Sequence, residues 1–253
     1  VKDEIKQQYF DAEFDKANET EKERITKKVE KLFTTLNEDL NPDNKKSRIY
    51  HLSNNCIYGT DANPRMARVS KMNMIMHGDG HGGVHHNDGL LNVNGIFENR
   101  FDVIVTNPPF GTRVAKTLIV SEQDRFNAAK VKEWKAKYDN YGKIVKERNR
   151  QIEKKRTILS LFDVGSQTGL TEVLFVERCL NLLKAGGRLG IVLPEGTLNN
   201  FQLQSIRDYF ESKAKILLIT SIPQDVFMAS GATVKSSLVF LKKFTEAEAE
   251  QYQ

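Results

Sequence analysis

At 253 residues with 39% hydrophobic content, the chain is long enough to bury one sizeable core, and it reads as a single domain over 1–253. No apolar run approaches a bilayer span, and VKDEIKQQYF lacks the apolar centre of a signal peptide, so a cytoplasmic protein with no membrane partner is expected. The net charge of +5 suits a polyanionic partner and is unevenly spread: residues 113–160 hold fourteen Lys and Arg against six Asp and Glu, a local balance of +8.

The first segment, 1–50, reads as helical. From Lys16 to Leu36, the residues Ile25, Val29, Leu32, Phe33 and Leu36 fall on one helix face. NPDNKKS (41–47) is turn chemistry, and CIYGTD reads as a strand ending at Asp61. Asn63 and Pro64 then supply a cap and a first-turn proline for a helix through about His77, with Met66, Val69, Met72 and Met76 along one side. After the glycine-rich GDGHGG (78–83), a short strand is expected near Val84 to His86. FDVIVT (101–106) has the unbroken apolar character of a parallel strand buried on both faces. The basic stretch 113–160 reads as a helical insertion.

Downstream, a helix is predicted from Thr171 to Lys184, stopped by Gly186 and Gly187, followed by the buried strand RLGIVL, which Pro194 closes. A helix at about Phe201 to Phe210, the strand KILLITSI, a turn containing Gly231 and the strand VKSSLVFLKK complete the pattern. The last two strands are joined too tightly for a crossover helix, which makes them an antiparallel pair. Strand and helix alternate throughout, so the fold class is α/β, a Rossmann-like doubly wound and mostly parallel sheet with an antiparallel final hairpin. Cys56 is placed in a buried strand and Cys179 in a packed helix, so burial accounts for both better than a disulfide.

Ligands of doubly wound sheets gather at the carboxyl ends of the strands. Three such ends are chemically loaded. Asn107, Pro108, Pro109 and Phe110 follow directly on a strand: Asn107 and the Pro108 carbonyl can accept both hydrogens of an exocyclic amine, the prolines remove competing donors, and Phe110 offers a ring face for a planar base. An ordinary turn is the competing reading of an Asn-Pro run, and the strand before it argues against that. Asp61 can accept both hydroxyls of a ribose or serve as a helix-capping aspartate. Asp88 can meet the amino group of an adenine ring or be a turn aspartate before Gly89.

GDGHGG matches a dinucleotide fingerprint at Gly78, Gly80 and Gly83, but it follows a helix and precedes a strand, the reverse of what phosphate binding needs. His77, His81, His85 and His86 crowd the same loop without a carboxylate or cysteine cluster, and no metal site is expected. In the basic stretch, Phe126, Trp134, Tyr138 and Tyr141 lie among lysines, the mixture expected where phosphates and bases are both contacted; a solvated charged helix is the alternative.

YGTDANPRMARVSKMNMIMHGDG, DVIVTNPPFG and TGLTEVLFVERCLNLLKAGGRLGIVLPEGTLNN resemble the modification subunit of type I restriction systems, a family of N6-adenine DNA methyltransferases, over about residues 56 to 200. The closing IPQDVFMASGATVKSSLVFLKK resembles that family's final hairpin. NPPF alone is shared with RNA and protein-glutamine methyltransferases. The resemblance implies a class I S-adenosylmethionine-dependent methyltransferase in which Asn107, Pro108, Pro109 and Phe110 hold an adenine flipped out of double-stranded DNA, Asp61 binds the ribose of S-adenosylmethionine and Asp88 its adenine. It also implies two partners, a specificity subunit and a restriction subunit. The family's upstream strand and glycine-rich cofactor loop have no counterpart here: residues 1–55 contain no glycine and the sequence begins with Val1, as a fragment would, so cofactor binding by this chain is expected to be compromised. Two alternatives stay open, an RNA or protein-glutamine methyltransferase and a non-catalytic DNA-binding module.

Overall fold

The computed structural model describes residues 14–78, 82–93, 95–228 and 234–251, and the chain divides into two compact units between His86 and Asn87. His81 and the centre of GDGHGG, like the turn at Gly231, lie outside the described residues.

In the first unit, helix α1 (Glu19–Asp39) begins at a capping box: Asn18 Oδ1 accepts from the Glu21 amide at 2.9 Å, and Glu21 accepts from the Asn18 amide at 3.1 Å. Of its apolar face, Ile25 and Val29 are buried, while Leu32 and Leu36 are exposed. Buried Ser47 donates to the Asn41 carbonyl at 2.6 Å and accepts from the Tyr50 amide at 3.1 Å, capping the short α2 (Arg48–His51). Helical backbone continues through Leu52–Cys56. Strand β1 is therefore only Gly59–Asp61, and Cys56 is exposed at the end of a helical turn, contrary to the expected buried strand position.

Helix α3 (Pro64–Met76) starts as predicted, with Asn63 Oδ1 accepting from Arg65 at 2.9 Å and Met66 at 3.4 Å, and Pro64 in the first turn. It leads to β2 (Val84–His86), which runs parallel to β1 with Asp61 opposite His86. Of the helix's apolar residues only Ala67 is buried; Met66, Val69, Met72 and Met76 are exposed. Gly83 must lack a side chain, since a Cβ there would lie 2.0 Å from the Ile57 carbonyl oxygen.

In the second unit, β3 (Phe101–Thr106) is followed by helices α4 (Ala128–Lys137) and α5 (Tyr141–Glu153) of the basic stretch, then α6 (Thr171–Leu182) and β4 (Leu183–Pro194). Helix α6 ends two residues before its predicted limit because Leu183 already pairs with Phe101 of β3. Short α7 (Glu195–Asn199), α8 (Gln204–Glu211), β5 (Ala214–Ser221), β6 (Ser236–Lys243) and α9 (Glu246–Gln251) complete the unit. The sheet order is β3-β4-β6-β5. β3 and β4 are parallel, while β6 is antiparallel to both β4 and β5, so the expected final antiparallel pair is present in a mixed sheet.

One face of this sheet, through Leu189, Ile191, Leu193, Val239 and Leu241, packs on Val176, Cys179 and Leu180 of α6. The other side of α6, through Val173 and Leu174, joins a second core with Leu90, Leu91, Val120, Ile158 and Phe162. Burial pushes the Cys179 thiol up to about 12, so the free thiol is a packing group. Strand β3 departs from expectation: Val103 is 62% and Val105 82% exposed. Among the described residues β3 pairs with β4 alone, so it is an edge strand with one uncovered face.

The aromatic residues of the basic stretch also depart from expectation. Trp134 and Tyr141 are buried with Phe97, and Phe126 and Tyr138 pack against them. Trp134 stacks on Tyr138 at 5.6 Å, and Tyr141 lies 5.5 Å from Phe126. These rings stack on one another and form a local core, which removes Trp134 and Tyr141 from the surface where a base could stack. No helix of the described residues is long and apolar enough to cross a membrane.

Leu174→Ala, at a site with no exposure, is expected to destabilise the protein by about 2–5 kcal/mol in urea denaturation, and Val105→Ala by less than about 0.5 kcal/mol. A large loss for Val105→Ala would mean that β3 is covered on both faces.

Candidate functional site

The three strand ends singled out in the sequence are all formed. Asp61 closes β1 in the first unit, half-buried, and its Oδ1 accepts from the Asn63 amide at 2.7 Å. That bond sets up the turn into α3 and engages one carboxylate oxygen. His86, opposite it in the register, places Nε2 3.0 Å from the Ala62 carbonyl and so braces the same turn.

Asp88 and Asn107–Phe110 belong to the second unit. Asp88 is half-buried and shapes the turn before Gly89, its Oδ1 accepting from the Leu90 amide at 2.9 Å. Burial raises its pKa, opposed by the Leu90 hydrogen bond and by Arg178 and Arg148, while Asp124 adds to the rise. In each aspartate one carboxylate oxygen shapes its own turn, and the second oxygen is left as an acceptor.

At the end of β3, Pro108 is buried while Asn107 is exposed, and the Asn107 amide has no hydrogen-bond partner among the described residues. Phe110 is half-buried and meets Phe227 edge to face, with ring centroids 6.2 Å apart at 88°. Phe227 lies in the β5–β6 connection, and sequence reasoning missed it because nothing in IPQDVFMASGA ties that ring to a loop more than a hundred residues upstream.

The chain leaves this loop through Gly111 at φ +68°, a left-handed turn suited to glycine. It is then pinned to the start of α6. The Gly111 amide donates to Glu172 Oε1 at 3.3 Å, Thr112 donates its hydroxyl to Thr171 at 2.9 Å, and Val114 donates its amide to the Gly169 carbonyl at 2.9 Å. Glu172 is 3% exposed and its Oε2 is buried without a partner. It too was missed, although an acid inside the apolar run TEVLFVERCL was a signal to be read.

His77 Nδ1 lies 2.9 Å from the Asn73 carbonyl, a local contact at the end of α3. Among the described residues no three His, Cys, Asp or Glu side chains form a metal-binding group.

Together these features define a Rossmann-like α/β fold with an antiparallel final pair and an Asn-Pro-Pro-Phe motif at the carboxyl end of a parallel strand. The chain belongs to the N-6 DNA methylase family, whose model matches residues 32–146 and 139–252. Among solved structures, it is similar to a chain from work on complex assembly and conformational transition of the type I R-M system (25% identity over 77% of this chain and 32% of that one, TM-score 0.52). The EcoKI M protein of a type I restriction enzyme (20% identity, 84% and 35% coverage, TM-score 0.52) shares the fold. So does a modification subunit from Vibrio vulnificus YJ016 described as that of a type I restriction enzyme (21%, 76% and 33%, TM-score 0.52). The chain spans about a third of the length of these structures.

Replacing Glu172 with Ala removes the acceptor for the Gly111 amide, and hydrogen exchange at Gly111 is expected to accelerate at least about tenfold. Unchanged protection would show that Glu172 does not hold the loop.

Proposed function

We propose that the protein acts as an adenine-specific DNA methyltransferase, the modification subunit of a type I restriction-modification complex, with S-adenosylmethionine as methyl donor and specificity and restriction subunits as partners. The observation that carries this reading is the end of β3, where an exposed Asn107 amide, unpartnered among the described residues, precedes buried Pro108 and the Phe110 ring. Asn107 Oδ1 and the Pro108 carbonyl accept the two hydrogens of the adenine amino group. Its lone pair is thereby turned away from the ring plane, toward the donor. Phe110 and Phe227 provide apolar surface for the base, which must leave the duplex stack to reach them. No strong base is needed, because attack can precede proton loss.

When bound, S-adenosylmethionine supplies an electrophilic methyl group. Asp61 would accept the ribose hydroxyls and Asp88 the adenine amine of that cofactor, each through the oxygen its own turn leaves over. Exposed Lys143, Lys146 and Arg150 of α5 suit DNA phosphates, a contribution that weakens steeply with salt.

Two measurements test this. In calorimetric titration with S-adenosylmethionine, saturable binding that Asp61→Ala abolishes would show that the chain holds the cofactor without the glycine-rich loop that residues 1–55 lack, and no binding would show that the loop is required. Transfer of labelled methyl groups, with specificity and restriction subunits added, should go to duplex DNA and fall at least about a hundredfold in Asn107→Ala. Acceptance by RNA or by a glutamine-bearing protein in place of DNA would overturn the substrate assignment, and salt-dependent DNA binding without cofactor affinity would make the chain a binding module.

A further inference from the structure

Two arginines in the second unit are buried and do not face any surface on which nucleic acid could lie. Arg178, on α6, is 4% exposed and spends its guanidinium on one segment: Nε donates to the Gly89 carbonyl at 3.1 Å, and the two terminal nitrogens donate to Asn92 Oδ1 and the Leu91 carbonyl, both at 2.8 Å. Arg148, on α5, is 3% exposed. One of its terminal nitrogens donates to the Asn92 carbonyl at 2.9 Å and the other to the Asp124 carbonyl at 2.8 Å. Its Nε is buried without a hydrogen-bond partner among the described residues, and its cation lies 5.3 Å from the Phe126 ring centre. Both side chains converge on residues 89–92, the turn whose first residue is Asp88.

Burying two cations side by side works against packing. Two neighbouring buried cations repel each other, and burial lowers the pKa of both, to about 10 for Arg178. A buried ion is costly where apolar residues would fill the same space, and in some proteins it fixes a geometry that apolar residues would not. Here the geometry is that of four consecutive residues, held by directional bonds to three backbone carbonyls and one side-chain amide.

We infer that Arg148 and Arg178 are positioning residues for Asp88, aiming its carboxylate at the amino group of the cofactor's adenine, and that Arg148 makes the basic stretch part of the cofactor site. The inference rests on the assignment of Asp88 made above. It divides the cations of α5 by role: Lys143, Lys146 and Arg150 are exposed and face solvent, while Arg148 turns inward to the Asp88 turn. The charged groups that act on Asp88 are Asp124, which favours its protonation, and Arg178 and Arg148, which oppose it. Removing Arg148 therefore raises the pH below which Asp88 is protonated and ceases to be a charged acceptor.

The test compares binding of S-adenosylhomocysteine with that of its inosine analogue, which lacks the amino group, in the full chain. Wild type should prefer the adenosine ligand at least about tenfold, and Asp88→Ala should lose that preference. Arg148→Met should bring the ratio to within about twofold of unity, and Arg148→Lys, which keeps one donor, should retain an intermediate ratio. The preference should also fade at a higher pH in Arg148→Met than in wild type. General damage to the fold would weaken both ligands alike, so an unchanged ratio in a folded Arg148→Met overturns the inference while the Asp88 assignment stands. A wild type that does not distinguish the ligands, or binds neither, overturns that assignment and the inference with it.

Discussion

Helix α6 has no solvent face, and the second unit is organised around that constraint. Ten of its twelve residues are buried, among them Glu172, Glu177 and Arg178. Its apolar residues could have joined two cores without any charge. Buried polar side chains seek hydrogen-bonding partners, and each of these reaches a different loop. Glu172 takes the Gly111 amide, Glu177 takes the Asp163 and Val164 amides at 2.9 and 3.0 Å, and Arg178 takes the carbonyls of Gly89 and Leu91. The loops that carry the candidate site residues of this unit are therefore fastened to one rigid element.

Local chemistry made the elements legible in the sequence. FDVIVT is a strand at the predicted residues, and Asn63 with Pro64 marks the start of α3 because a cap and a first-turn proline act over one helical turn. What the sequence could not disclose was which neighbour each element would find. Apolar alternation in FDVIVT says strand, but its exposure depends on whether a second strand lies beyond it, and Val105 is exposed because none does among the described residues. Cys56 departs for a local reason: helical backbone runs through Leu52–Cys56 and the strand begins only at Gly59.

The candidate site shows the same division. Asn107–Phe110 could be read from four consecutive residues, because their chemistry is local. Its supports could not, since Glu172 is 61 residues from Gly111 and Arg178 is 89 from Gly89. The aromatic residues of the basic stretch show the limit from the other side. A ring that stacks on a base and one that stacks on its neighbour have the same sequence pattern, and at Trp134 and Tyr141 the second arrangement holds.

The supports also bear on what the end of β3 can bind. Pro108 and Pro109 have no amide hydrogen, and that of Gly111 is engaged by Glu172, so within residues 107–111 most of the backbone donors are absent or used. An anion such as phosphate, or the oxyanion of acyl transfer, needs converging donors. A loop stripped of donors that keeps an exposed side-chain carbonyl at Asn107 instead suits a ligand that donates hydrogen bonds, and an exocyclic amine does so with two. By engaging the Gly111 amide, Glu172 also takes one backbone donor away from whatever ligand the end of β3 meets.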